Sequence, residues 1–212
     1  VSAETLHAEG YAHVVVATGV RPRAMQLPGI DHPSVMRYDE LLSGSKTAGQ
    51  RVAIIGAGGI GFDSAVYLTA PSAASMSAAQ EQQQIDQFLA EWGVDAKAVA
   101  NLPGGLMPAT AASATAHGTR QVTLLQRKTS TPGKSLGLTT GWAIRAELAR
   151  RGVQFLVGVE YQRIDDQGLH VLVDGKPQTL AVDSIIICAG QDSERSLADA
   201  LQAKGMAHSV IG

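Results

Sequence analysis

The chain has 212 residues, 45% of them hydrophobic and 17% charged, enough to bury a sizeable core in one large or two small domains. A formal net charge of −2 excludes a nucleic-acid footprint or a polyanionic tail, so a phosphate-bearing ligand has to be held by local cations and backbone N–H groups. One cysteine excludes a disulfide framework and an all-cysteine metal site within the chain, and no apolar run approaches the roughly 20 residues that span a bilayer.

The chain opens at Val1 with neither an initiator methionine nor a charged-then-apolar leader, and a piece of a longer, cytoplasmic polypeptide is the expectation. Tyr11 to Gly19 is an apolar run that stops at a glycine, read as a buried parallel strand, followed by a Val20-Arg-Pro-Arg23 loop and a Leu27-Pro-Gly29 turn. Asp39 to Leu42 reads as a short helix, and 43–50 as a polar connection. Residues 1–50 are thus expected to be a partial strand of one unit and a linker to the next.

Arg51 to Ala65 organises everything after it. Val52 to Ile55 is a buried-type strand that breaks into Gly56, Gly58 and Gly61, the G-x-G-x-x-G spacing, with Phe62 to Leu68 helical beyond it. The first glycine permits the tight turn, the second lets a pyrophosphate approach the backbone, and the third lets helix and strand pack closely. The helix N-terminus adds free N–H groups and the positive end of its dipole. No Gly-Lys-Ser/Thr closes the turn, so it is not a P-loop. Bare glycine spacing is also compatible with a ligand-free strand-to-helix turn.

From Pro71 to Gly118 the composition turns to Ala, Ser and Gln, an insertion expected to carry one amphipathic helix and a mobile arm from about 96 to 118. The helix follows from capping-box spacing at Ser77 to Gln80 and from Ile85, Phe88, Leu89 and Trp92 at i, i+3, i+4 and i+7, with Gly93 as a stop. Gln121 to Gln126 is the next strand, and Gly141 to Arg151 a helix with Ile144 and Leu148 on one face and Gly152 at C′. Val153 to Val157 is a strand. Tyr161 to Ile164, Leu169 to Val173 and Gln178 to Val182 alternate around turn-rich joints as an antiparallel meander, and Ile185 to Ala189 closes the unit before Gly190. The fold class is α/β: a Rossmann-type three-layer domain over 51–190 with a β-meander crossover, an insertion at 71–118, and a return segment at 191–212.

A dinucleotide domain carries an acid at the end of its second strand for the ribose hydroxyls of NAD, or cations for the 2′-phosphate of NADP. Here Arg127 and Lys128 stand at that place, and no acid does. A guanidinium takes a phosphate bidentately and a lysine adds a point charge, so NADPH is the expected ligand; otherwise Arg127, Lys128 and Lys134 are solvated loop charges. Asp63, read as lying on the first helical turn, either complements the dipole or accepts a hydrogen bond from the nicotinamide carboxamide. Gly190 ends the last strand where a side chain would block the ring, and Thr139, Thr140 and Trp142 are weaker candidates near the same edge. Cys188, in an apolar run, is read as structural. Histidines 7, 13, 32, 117, 170 and 208 show no i, i+4 pairing and no nearby carboxylate set, so no metal site is expected, and no catalytic acid–base residue is assigned. Any redox chemistry is hydride transfer between cofactors that the protein orients.

The stretch Val14-Val-Val-Ala-Thr-Gly-Val-Arg-Pro-Arg23 resembles the ATG segment of the two-dinucleotide flavoprotein reductases, the glutathione and thioredoxin reductase class. With Ile54 to Asp63, Leu124 to Lys128, Thr139 to Trp142, Asp165 to Val171 and Ile187 to Gln191, nearly the full chain is similar to the C-terminal part of the bacterial NADPH-dependent 2,4-dienoyl-CoA reductases. The resemblance implies an enzyme in which NADPH reduces FAD, and electrons pass through a [4Fe–4S] cluster and FMN to a dienoyl-CoA in fatty acid β-oxidation. It implies a cofactor-binding set of Gly56, Gly58, Gly59, Ile60, Gly61, Asp63, Arg127, Lys128 and Gly190 around NADPH, with Thr18 and Gly19 at the edge of an FAD site. The barrel that carries FMN and the cluster, and the first glycine turn of the FAD domain, are not in this chain, so by itself it is expected to bind NADPH and reduce nothing. Its partners are then the missing parts of the same polypeptide, with no nucleic acid and no membrane. Residues 12–17 and 207–211 are expected to be neighbouring strands whose open edge can pair with another copy. The competing readings are the same portion of another flavoprotein, a trimethylamine dehydrogenase or enoate reductase relative, and a non-enzymatic nucleotide-sensing domain.

Overall fold

The computed structural model describes residues 1–70, 78–94, 120–134, 136–137 and 139–211. In chain order its elements are α1 (Ala3–Ala8), β1 (Val14–Val16), β2 (Val20–Pro22), β3 (Val35–Arg37), α2 (Tyr38–Leu42), β4 (Arg51–Ile55), α3 (Gly59–Thr69), α4 (Ala78–Glu91) and β5 (Gln121–Leu125). There follow α5 (Gly141–Arg150), β6 (Gln154–Leu156), β7 (Val159–Asp165), β8 (Gly168–Val173), β9 (Lys176–Leu180), β10 (Ser184–Ile187), β11 (Gln191–Ser193), α6 (Ser196–Ala203) and β12 (His208–Val210).

The centre is a five-stranded parallel sheet in the order β3-β10-β4-β5-β6. Because side chains alternate across a strand, each central strand feeds two cores. Val52, Ile54, Val122, Leu124 and Ile186 pack with Phe62, Leu68 and Leu148 of the helical layer. Ala53, Ile55, Leu125, Ile185 and Ile187 pack with Val159, Ile164, Leu169 and Val171 of the antiparallel meander β7-β8-β9. The result is the α/β three-layer architecture, helices on one face and a small sheet on the other. A fully buried Leu, Ile or Phe contributes about 1.5–3 kcal/mol, against about 0–1 for an exposed ion pair. The layers are therefore held by the two cores and not by their surface charges.

A third, smaller core gathers Ala3, Val16, Ala198 and Leu201 under α1, β1, α6 and β12. Here β1 and β12 pair in parallel, Val14 opposite His208, so the two strands expected to be neighbours are. The chain passes between this core and the large sheet along β2 and β11, which pair antiparallel, Arg21 opposite Asp192. Side chains reinforce the ribbon: Arg21 pairs with Glu194, Arg23 Nε donates to Asp192 at 2.8 Å, and Thr18 Oγ1 donates to the Glu194 carbonyl at 2.6 Å.

Between α3 and β5 the chain is anchored at two places. Arg120, just ahead of β5, donates through Nε to the Gly49 carbonyl at 3.1 Å and through Nη1 to that of Leu68 at 3.3 Å, drawing the start of β5 to the end of α3. Helix α4 docks through its C-terminal end: Trp92 meets Trp142 edge-on at 6.3 Å, and the Arg150 guanidinium lies 4.1 Å from the Trp92 ring. Ile85 and Phe88, expected on its buried face, are 47% and 52% exposed, so the apolar stripe is covered at one end only. The Ser77 cap and the 96–118 arm lie outside the described residues.

The histidines are less isolated than their spacing suggests. The β7–β8 hairpin brings His170 Nε2 to Asp165 at 2.8 Å, and the turn places Asp166 3.1 Å from His32. The first pair is made by the hairpin and the second by the meeting of a turn with a distant loop, which i, i+4 spacing does not register. Among the described residues no three His, Cys, Asp or Glu side chains are grouped to hold a metal. None of the described helices is long and apolar enough to cross a membrane.

Candidate functional site: the cleft at the carboxyl edge of the sheet

Each glycine of the turn after β4 has a distinct surrounding. Gly56 has φ +115°, and a Cβ there would overlap the Cys188 carbonyl, 2.8 Å from its carbon, where β10 ends beside β4. At Gly61 a Cβ would overlap the Gly56 carbonyl oxygen and stand 3.4 Å from Leu124 Cδ1, so helix, turn and sheet touch there. Gly58 differs from both: its backbone is extended (φ −88°, ψ −174°), and a Cβ would meet nothing within 4 Å. The space over Gly58 is open, not filled by the protein. Gly58 is also the N-cap of α3, and no side chain caps that end. The first N–H groups of an eleven-residue helix are therefore left for an acceptor in the cleft, with the positive end of the dipole behind them.

The cleft itself has a volume of about 720 Å³. Its floor is Ile55 to Gly58 and Cys188 to Gly190, one wall is Arg23 to Gln26, and the other is the loop after β5 with Gln126 to Lys128, Ser130, Thr131, Gly133 and Lys134. Arg127, Lys128 and Lys134 are exposed and make no ion pair with the described residues, and no Asp or Glu lines the cleft. Gln126 fixes this wall: its Nε2 donates to the carbonyls of Lys128, at 2.9 Å, and Ser130. Tyr161 reaches the cleft from the meander; burial pushes its phenol above the ordinary range, and the Arg127 charge acts the other way. Cys188 turns its thiol into the helical core toward Ser64, 3.7 Å away, and burial raises it to about 12, opposed only by that contact. It is an inert thiol under the floor.

Of the residues singled out from the sequence, Gly56, Gly58, Arg127, Lys128 and Gly190 line one cleft. Gly59, Ile60 and Gly61 form the first turn of α3 behind it, with Ile60 partly buried against the helical core. Asp63 is corrected: α3 starts at Gly59, so Asp63 is its fifth residue, on the second turn, exposed and outside the lining. The helix begins three residues before Phe62 because Gly59 to Gly61 adopt helical backbone despite their low propensity, with the close fit of Gly61 on the turn holding them. Thr18 and Gly19 lie in the ribbon, bonded to Glu194 through the Thr18 hydroxyl and through Glu194 N–H to the Gly19 carbonyl at 2.9 Å. Thr139, Thr140 and Trp142 do not line the cleft. The cleft adds Arg23, Gln126 and Tyr161. Arg23 and Gln126 had a sequence signal, Arg23 at the end of the apolar strand-and-loop block and Gln126 at the end of the strand that leads to Arg127.

The family model described as pyridine nucleotide-disulphide oxidoreductase matches residues 3–209. A protein named metal reductase from Desulforamulus reducens is 26% identical over 202 residues, 95% of this chain and 27% of its own length. Among solved structures, a 2-naphthoyl-CoA reductase in complex with 2-naphthoyl-CoA superposes on the whole chain with TM-score 0.68 and 21% identity, over 25% of its own chain. The 6-hydroxypseudooxynicotine amine oxidase of Pseudomonas geniculata N1 does so with TM-score 0.69 and 19% identity, over 27% of its chain. Histamine dehydrogenase of Rhizobium sp. 4-9 gives 0.61 and 16%, over 29%. At these identities the structures establish a common fold. The chain spans about a quarter of the length of these relatives.

Proposed function

We propose a function from one premise, that the chain belongs to the pyridine nucleotide-disulphide oxidoreductase family. It is the NADPH-binding portion of an NADPH-dependent 2,4-dienoyl-CoA reductase, serving hydride transfer from NADPH to FAD in the longer enzyme. One observation carries the NADPH part: an open floor at Gly58, under an uncapped helix end, faces a wall whose Arg127, Lys128 and Lys134 make no ion pair among the described residues and which includes no acid. These residues fit the nucleotide. Gly58 and the first N–H groups of α3 would hold the diphosphate, Arg127 and Lys128 the 2′-phosphate, and Gly190 would leave room for the ring. The nucleotide supplies the hydride when bound, and the chain binds and orients it.

The dienoyl-CoA part rests on the residue blocks shared with that group of reductases, and a fold common to a 2-naphthoyl-CoA reductase is in keeping with it. With Cys188 as its one cysteine, the chain has no four-cysteine set for an iron–sulfur cluster, so the cluster and FMN of this reading belong to the rest of a longer, cytoplasmic polypeptide. Likeness to an amine oxidase and a histamine dehydrogenase favours a second reading, the equivalent portion of an amine-oxidising flavoprotein, in which the cleft is not assigned to NADPH.

Titration of the chain with NADPH and with NADH, repeated on the Arg127→Ala, Lys128→Ala double variant, separates the two. Charge-assisted hydrogen bonds contribute about 1.5–3 kcal/mol, so NADPH affinity falls about 10- to 100-fold in the variant while NADH binding changes little. Equal affinity for both nucleotides, or no loss in the variant, removes the NADPH assignment.

A further inference from the structure

Arg23 does more than border the cleft. A Cβ built on Gly190 would stand 3.3 Å from its Nη1, 3.5 Å from Cζ and 3.9 Å from Nε, so the guanidinium covers the α-carbon of Gly190. Two side-chain hydrogen bonds hold it there and one main-chain bond fixes the segment that carries it. Nε donates to Asp192 Oδ1 at 2.8 Å, Nη2 donates to the Gln191 carbonyl at 2.9 Å, and the Arg23 N–H donates to the Gly190 carbonyl at 3.0 Å. Gly190 itself has φ +113°, a backbone that side chains avoid, and the space its missing side chain leaves is filled by an arginine from another segment.

The sheet order tells which half of a dinucleotide this concerns. β5 and β10 flank β4 on opposite sides. A ligand with its diphosphate over Gly58 and its 2′-phosphate at Arg127, past the end of β5, runs its other half across the end of β10, over Ala189 and Gly190. That half carries the nicotinamide. Resting on the NADPH reading of the cleft, we propose that Arg23 is a gate on its nicotinamide end, closed in this conformation. The guanidinium has to give up Asp192 and the Gln191 carbonyl before a dinucleotide seats along its full length. The adenosine half, which ends at the phosphates, needs no such movement.

A closed gate lowers apparent affinity by the fraction of molecules that are open. Only a ligand that reaches Gly190 feels it. The test is therefore a ratio: the dissociation constant of 2′,5′-ADP divided by that of NADPH, for the chain and for Arg23→Ala. Both ligands are polyanions that share the site of the 2′-phosphate, so most of the long-range loss of one positive charge cancels. The ratio rises about three- to tenfold in Arg23→Ala, the effect of an exposed charge-assisted latch, and about twofold in Asp192→Asn, which weakens the latch and keeps an acceptor. A ratio that stays level or falls in Arg23→Ala overturns the gate, and shows the arginine to be inert or an ordinary ligand contact. If 2′,5′-ADP binds the unaltered chain, that result leaves the NADPH reading intact. If neither ligand binds any form, the NADPH reading is wrong and the gate falls with it.

Discussion

Gly58 and Gly61 share one motif but stand in opposite physical situations, and alanine at each separates ligand space from packing space. At Gly58 the backbone is one that any residue adopts, and an added methyl meets nothing within 4 Å. Alanine there relieves the unfolded chain of glycine's extra freedom, so stability should hold or rise by about 0.4–1 kcal/mol. At Gly61 the same methyl overlaps the Gly56 carbonyl oxygen, a backbone atom that no side-chain rotation can clear, and presses Leu124 at 3.4 Å. Overpacking of this kind costs about 1–3 kcal/mol. In a domain of this size 1 kcal/mol moves Tm by about 2–4 °C. Thermal melts of ligand-free Gly58→Ala should therefore lie level with the unaltered chain or up to about 4 °C above it, and those of Gly61→Ala about 2–12 °C below. Calorimetric titration with NADPH should give the reverse order, with Gly58→Ala folded and at least tenfold weaker if its methyl stands in the proposed diphosphate site. A Gly58→Ala protein that binds as before, or one that melts well below the parent, refutes the assignment of that space to a ligand.

Three more outcomes are expected. Cys188, buried and pushed up to about 12, should resist iodoacetamide at pH 8 in the native chain and react fully in urea, and stoichiometric native labelling would contradict its place under the floor. The His170 hydrogen bond is the largest of the contacts that hold the Asp165 carboxyl near about 2, below its ordinary 3.8. A depressed carboxylate stabilises the fold above about pH 4 and loses that contribution as pH falls toward 2, so His170→Ala should raise the Asp165 titration midpoint read by carboxyl NMR; an unmoved midpoint refutes the pairing. Trp142→Ala removes the edge contact with Trp92, and hydrogen exchange in α4 should quicken while global Tm moves by less than about 4 °C, since the two main cores do not include either ring.

The strand-turn-helix at 51–69, the second helix and the meander were legible because each carries its own periodicity and its own punctuation. β3 was not: Val35-Met-Arg37 is three residues long with one buried side chain, and its place beside β10 is set by a partner some 150 residues away. The ribbon of β2 and β11 was hidden for the same reason, being a Val-Arg-Pro and a Gln-Asp-Ser that bury almost nothing. α1 has six residues, too few to show a face in the sequence. α6 leaves a readable trace in the sequence, with Leu197, Ala198 and Leu201 packed or buried at helical spacing. In the site, Gly56, Gly58, Arg127, Lys128 and Gly190 were legible because strand ends have fixed chemistry in this architecture. The place of Arg23 over Gly190 and that of Tyr161 at the cleft were not, because both come from the crossing of distant segments.

The clamp made by Arg120 has a bearing on how such a domain tolerates change. With α3 and β5 tied within the reach of one guanidinium, the two ends of the excursion between them stand side by side. Shortening that excursion from about fifty residues to about six would change the loop-closure entropy by only about 2 kcal/mol in favour of the shorter chain, set against the loss of the Trp92 contacts with Trp142 and Arg150. Variation in length between these ends is thus thermodynamically cheap, and lineages are free to graft or delete material here without disturbing the register of the strands on either side.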